Sequence, residues 1–168
     1  IKLEELKETL FLNTNDCSEF NLEGLDLQNV AEVVRFVERN SSNDLKRAIL
    51  WGEISKKYLE ESSINNWEED GEIEWGYDVE NKRLLIKGKG SVDDYIGGGK
   101  TCKMNDYSYQ KDKRSPWLNK YETPIKSVVV CYGVSSIGEY AFYDCNYLKS
   151  VILSNSVSSI GNHAFHSC

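Results

Sequence analysis

What most constrains this chain is that it repeats itself. Residues 125–145 (IKSVVVCYGVSSIGEYAFYDC) align without a gap on residues 148–168 (LKSVILSNSVSSIGNHAFHSC), with 11 of 21 positions identical at an offset of 23. Chance does not produce that density, and the apolar differences are conservative: Ile125 for Leu148, Val129 for Ile152, Val130 for Leu153. One unit of this length cannot shield its own apolar face, so the copies must stack to fold. The β-branched runs KSVVV and KSVIL predict strands, and VSSI a second short extended piece. Gly138 and Gly161 follow that piece as corner residues, expected to take a positive φ before a helical or 3-10 turn carrying Ala-Phe. Equivalent residues should stack at about the 4.8 Å strand spacing, with Phe142 over Phe165 and Val134 over Val157. The expected interior is Val128, Val134, Ile137, Gly138, Ala141, Phe142 and Cys145 in the first copy. In the second it is Leu148, Val151, Val157, Ile160, Gly161, Ala164, Phe165 and Cys168.

Charge follows the same division. Four of the 44 residues in 125–168 are charged, against 43 of the other 124, which marks the repeats as a low-charge stacking element. Two copies are fewer than the about three a stacked array needs, so a cap is expected on one side and further copies on the other. With Ile1 at the first position and Cys168, the last residue of the motif, at the last, we expect a truncated array whose open end is able to self-associate.

The pattern V-S-S-I-G-x-x-A-F-x-x-C followed by L-K-S-V resembles the BspA-type leucine-rich repeat family over 125–168. Upstream, Leu84-x-Ile86-x-Gly88-x-Gly90, Asp94-Tyr95, Pro116-Trp117 and Ile125-Lys-Ser-Val are similar to the β-rich leader that often precedes such repeats. Ser91-Val92 departs from the usual small residue and Met, and the 20 residues from Ile96 to Ser115 make the loop before Pro-Trp unusually long. The resemblance implies a solenoid, and surface proteins that are secreted or wall-attached and used in adhesion and host-protein binding.

The leader also looks like β structure on its own residues. From Glu72 to Glu80 the chain alternates, Ile73, Trp75, Tyr77 and Val79 against Glu72, Glu74, Asp78 and Glu80, as in a half-buried strand. Asn81-Lys82 is expected to turn the chain, with Asn in the left-handed region, and Arg83–Lys87 to return as a hairpin partner. Trp75 and Trp117 are expected to bury over the first repeat.

Before residue 67 the pattern changes to helical. Leu3, Leu6 and Leu10, then Val30, Val33, Val34 and Val37, fall three and four apart, and Ala48–Leu59 continues helically despite Gly52. Asn29 with Glu32, and Ser41 or Asn43, supply N-caps. Leu22-x-x-Leu25-x-Leu27 imitates a leucine-rich motif without a second copy. The expected fold class is α+β: a helical segment of no recognised family (1–66, ending in a linker at 62–66), a small β-rich cap with a hairpin (67–124), and the start of a β-containing leucine-rich-repeat solenoid (125–168).

Chemistry is sparse. Gly97-Gly-Gly-Lys-Thr101 ends like a phosphate-binding loop, but Asp94 stands where its first Gly belongs, and Asp93 replaces the third Gly of a dinucleotide fingerprint begun at Gly88 and Gly90. Asp93-Asp94 and Glu68-Glu69-Asp70 lack the alternating ligands of a calcium loop and are taken as solvated charge. His163 and His166 occupy the repeat slots of Tyr140 and Tyr143, so they are variable surface positions. A His–Cys dyad with Cys145 or Cys168 competes with the simpler reading of Cys as a small buried hydrophobe. Five Cys without a CxxC pair fit neither a zinc knuckle nor a closed disulfide set. Neither a cofactor nor a metal is expected.

A net charge of −7 argues against nucleic-acid and anionic-membrane binding, and no apolar run approaches the length of a membrane span. The expected function is therefore a non-catalytic protein-binding module, with host or matrix proteins as partners by resemblance. Its candidate contacts vary between repeats and should face outward: Tyr132/Asn155, Glu139/Asn162, Tyr140/His163, Tyr143/His166 and Asp144/Ser167. The alternatives are a sensor or structural scaffold attached to a regulatory helical part, or binding of sulfated sugar or another polyanion by the loop 100–120, which holds six basic residues and three aromatics.

Overall fold

Asparagines open the two longer described helices. In the computed structural model, which describes residues 22–96, 99–120 and 124–168, Asn29 accepts from the Glu32 N–H at 3.3 Å and starts α1 (Val30–Asn40). Asn43, rather than Ser41, accepts from the Lys46 N–H at 2.8 Å and starts α2 (Asp44–Glu61). Each cap pairs a donor that a helix start would otherwise leave unsatisfied. Gly52 inside α2 has a packing reason, since a Cβ there would come within 2.2 Å of the Ile96 side chain. The expected helix at Leu3, Leu6 and Leu10, together with Cys17, Gly97 and Gly98, lies outside the described residues.

The strands form two sheets. β1 (Glu68–Asp70), β2 (Ile73–Asp78) and β3 (Arg83–Gly88) run antiparallel, and β5 (Ser127–Val130) and β7 (Ser150–Leu153) extend the same sheet in parallel, in the order β1-β2-β3-β5-β7. β4 (Cys102–Lys103), β6 (Val134–Ile137) and β8 (Ser159–Ile160) make a parallel second sheet. Val128 pairs with Val151 and Ile137 with Ile160, so the repeats stack in register at the offset of 23 that the sequence shows. With the two helices this is an α+β fold.

The hairpin joins β2 to β3 as expected, but its left-handed residue is Lys82 (φ 52°), not Asn81. Asn81 instead donates its amide to Asp78 at 2.8 Å. β2 is also not half-buried. Ile73, Trp75 and Tyr77 enter one core, and on the other face Gly76 lies against Ile64 and Trp67 while Asp78 is 1% exposed. Val79 falls beyond the strand and is exposed.

Both faces of the large sheet are covered, which is why β3 and β5 are apolar at consecutive positions. Leu84, Ile86, Val128 and Val130 point towards the small sheet, while Leu85, Val129 and Ile152 pack with Val33, Val37, Ile49 and Ile54 of the helices. The helices expected to stand apart therefore share a core with the repeats. The segment 62–66 crosses the sheet, Ser63 donating to Asp78 at 2.7 Å.

The long loop before Pro116 is a disguised rung. β3 lies beside β5, β4 beside β6, and Trp117, in the short helix α3 (Pro116–Lys120), stacks on Phe142 at 5.6 Å. Trp117 thus fills the slot that Phe142 and Phe165 fill in the repeats. Its indole N–H and the Ser115 hydroxyl both donate to the Ala141 carbonyl, at 2.9 and 2.8 Å. Trp75 and Trp117 are both buried, as expected, and meet edge-on at 5.8 Å.

Two details of the repeats differ from expectation. Gly138 and Gly161 do not have positive φ; the left-handed residues are Tyr140 (55°), Asp144 (61°), His163 (57°) and Ser167 (62°), in a succession of tight turns without a 3-10 helix. Glycine is required for closeness instead, since a Cβ on Gly138 would lie 1.8 Å from the Asn105 carbonyl oxygen and one on Gly161 2.5 Å from the Glu139 nitrogen. The interior is also graded. Val128, Val134, Ile137, Gly138, Ala141, Phe142, Cys145 and Ala164 are buried, and Phe142 stacks on Phe165 at 5.2 Å as expected. Leu148, Val151, Val157, Gly161 and Phe165 are only half-buried, and Ile160 (53%) and Cys168 are exposed, because among the described residues no rung covers the second repeat.

Candidate functional site

The turns after β6 and β8 hold four rings in a square. Each turn is closed internally, Ala141 to Gly138, Tyr143 to Tyr140 and Cys145 to Phe142, while the N–H groups of Tyr140, Phe142 and Asp144 donate across to Asn162, Ala164 and His166 at 3.1, 2.7 and 3.0 Å. That ladder fixes the outward side chains in pairs. Tyr140 stacks on His163 at 4.9 Å and Tyr143 on His166 at 5.3 Å. Within each repeat the neighbours meet edge-on, both Tyr140–Tyr143 and His163–His166 at 5.4 Å.

The loop before Pro116 completes this face. Tyr109, 56% exposed, approaches Tyr140 at 5.8 Å, and the Arg114 guanidinium lies 5.7 Å from the Tyr143 ring centre and 3.9 Å from the Asp144 carboxylate. Arg114 is held in turn by the Tyr109 carbonyl at 3.2 Å. Glu139 is half-buried at the edge and Asn162, His163 and His166 are exposed. The result is a rigid aromatic surface with one cation, a carboxylate and several hydrogen-bonding groups, the combination that anchors protein contacts.

The candidate contacts therefore divide. Glu139/Asn162, Tyr140/His163, Tyr143/His166 and Asp144/Ser167 come together on this face. Tyr132 and Asn155 do not, since they occupy the corners after β5 and β7. Asn155 is exposed, but Tyr132 packs between the two cores, its N–H donates to the Ser55 hydroxyl at 2.9 Å, and burial raises its phenol pKa. The sequence signal that Tyr132 would be covered is the buried run just before it. Tyr109 and Arg114 were outside that candidate set, although both belong to the basic and aromatic loop already noted.

The remaining candidate groups have structural roles. Asp94 closes a capping box with Ser91, and Asp93 pairs with Lys56 at 2.9 Å. Lys100, from the phosphate-loop imitation, lies 5.1 Å from the Tyr95 ring centre. Burial pushes the Cys145 thiol up to about 12 and Cys102 to about 11, so neither offers a thiolate near neutral pH. The Cys168 thiol is also raised by burial and lies 3.1 Å from the Phe142 carbonyl oxygen. Among the described residues Cys102, Cys131, Cys145 and Cys168 are free, no group of three His, Cys, Asp or Glu converges as a metal site, and no helix is long and apolar enough to cross a membrane.

Parallel rungs repeating every 23 residues, with varied side chains on the outer turns, define a repeat module of the leucine-rich kind. Residues 120–168 match the family model described as a BspA type leucine rich repeat region (6 copies), and the two repeats of this chain are of that type. Among solved structures, a leucine-rich repeat protein from Eubacterium ventriosum is 28% identical over 58% of this chain and 22% of its own, with a TM-score of 0.46. This chain thus spans less than a quarter of that protein's length. No curated protein matches it.

Proposed function

We propose that this chain is a non-catalytic protein-binding module whose contact surface is the aromatic face formed by Tyr140, Tyr143, His163 and His166 with Tyr109 and Arg114. The observation that carries this reading is the backbone ladder that locks these rings against one another in the free protein, so that little side-chain entropy is lost on binding. A buried interior that repeats beside an outer face that varies is what a stacked array needs to present a specific surface. The helices α1 and α2, the cap 67–124 and the repeats 125–168 act as parts of one such module, with the helices as a support for the sheet. The repeats are the beginning of a solenoid, and the exposed Ile160 edge is where a further repeat, or a second copy, would stack. Resemblance to BspA-type proteins supports a secreted or cell-surface location and partners among host or matrix proteins.

Arg114 favours this reading over polyanion binding by the loop 100–120, because this one of the loop's six basic residues is turned to the aromatic face. The test is surface plasmon resonance against immobilised extracellular-matrix proteins. Saturable binding is expected, with a loss of about tenfold or more in a folded Tyr140→Ala/Tyr143→Ala double variant, as for the loss of central aromatic anchors. Binding that the double variant leaves intact, or that the wild-type chain lacks, would remove this face as the contact surface.

A further inference from the structure

Three lysines stand at one register position on neighbouring strands. The Lys126 N–H donates to the Lys82 carbonyl at 2.9 Å and the Lys149 N–H to the Lys126 carbonyl at 2.8 Å, just before the aligned residues Arg83, Ser127 and Ser150. Rungs about 4.8 Å apart place the three on a column about 10 Å long. Like charges set side by side oppose folding. None of the three forms an ion pair among the described residues, and the charges of Lys82 and Lys149 lower the pKa of Lys126.

Arg83 adds an independent observation. It is 4% exposed, yet its guanidinium meets the Gln28 amide oxygen at 2.8 Å, the Ser127 hydroxyl at 3.4 Å and the Tyr58 ring at 4.8 Å, and among the described residues it forms no ion pair, although Asp78 is its register partner across β2 and β3. A charge taken this far out of water is ordinarily matched by its opposite. Arg83, Lys126 and Lys149 line one cleft of about 350 Å3, beside the apolar side chains of Leu27, Val30 and Ile152.

We propose that this cleft docks an acidic peptide segment, its carboxylates on the Lys82–Lys126–Lys149 column beside Arg83 and one of its apolar side chains on the half-buried Val30. The apolar lining decides between anions, since a sulfated sugar has no group to place there. A chain of net charge −7 that sets three lysines side by side without an ion pair among the described residues has a local field opposite to its overall one, which would steer an acidic segment to this cleft. The site is separate from the aromatic face and does not depend on it.

The experiment is a fluorescence anisotropy titration of the full chain against a fluorescein-labelled ten-residue peptide of alternating Glu and Leu. Saturable binding is expected, weakening as salt is raised, and at least tenfold weaker in K126E and in K149E. K113E makes the same charge change at an exposed lysine outside the cleft and should bind as the wild type does. K149Q, which removes one charge at an exposed position, should weaken binding without altering the circular dichroism spectrum. Tyr140→Ala/Tyr143→Ala should bind the peptide normally, whatever its effect on matrix proteins. No saturable peptide binding, an equal loss in K113E, or capture by the column of a heparin oligosaccharide but not the peptide would each overturn the proposal.

Discussion

At the scale of single residues, position in the stack sets the chemistry. Asp78 is nearly fully buried at the end of β2, accepting from Ser63 at 2.7 Å and from the Asn81 amide at 2.8 Å. Burial by itself would raise its carboxyl, but the Asn81 and Ser63 donors outweigh it and hold the pKa below the ordinary 3.8. The folded value thus lies below the unfolded one, so the carboxylate contributes its full stability above pH 3.8 and loses it as pH falls through the lowered value. Asp78→Asn, which turns a donor towards donors, should destabilise the protein by about 1–3 kcal/mol at neutral pH. Urea unfolding across pH should show that difference shrinking below pH 3.8. A difference constant with pH would mean that the charge of Asp78 is irrelevant. Glycine illustrates the same dependence on place, because Lys82, Tyr140 and Asp144 take the left-handed angles that a sequence reading assigns to Gly or Asn.

Elements explain why some of this was legible and some was not. The 23-residue register could be read directly, since identical residues occupy identical slots in β5 and β7 and in β6 and β8. The helices were announced by Asn29 and Asn43, whose capping is local. The segment from 96 to 117 hides its rung because Cys102, Met104 and Trp117 reach the core at spacings that repeat nothing. Docking of α1 and α2 on the sheet is a long-range event, and its one local trace is the unbroken apolar run in β3 and β5, which implies cover on both faces. The lysines at 126 and 149 were visible as identities, but Lys82 joins them only through strand pairing. Gly138 belongs to this scale too, because it is where the loop segment at Asn105 crosses closest to the end of β6. Gly138→Ala should cost about 1–3 kcal/mol through overpacking, and Glu139→Ala much less. Thermal unfolding of the two variants measures this, and equal losses would mean that the loop does not press on that corner.

For the whole molecule, one sheet carries the organisation. Helices cover one face, the small sheet and the turns cover the other, and the stack of Trp75, Trp117, Phe142 and Phe165 runs through the second core from β2 to the second repeat. Everything presented at the surface, the ring square on one side and the lysine column on another, is a product of copies lying one above the other. A double-mutant cycle on Phe142 and Phe165 tests that stacking most directly. Phe142→Ala should cost about 3–5 kcal/mol and Phe165→Ala less, being covered on one side. The pair should show a coupling of about 0.5–1.5 kcal/mol, as for rings in contact. Losses that simply add, with no coupling, would mean that the two phenylalanines do not touch and that the repeats are not stacked at an offset of 23.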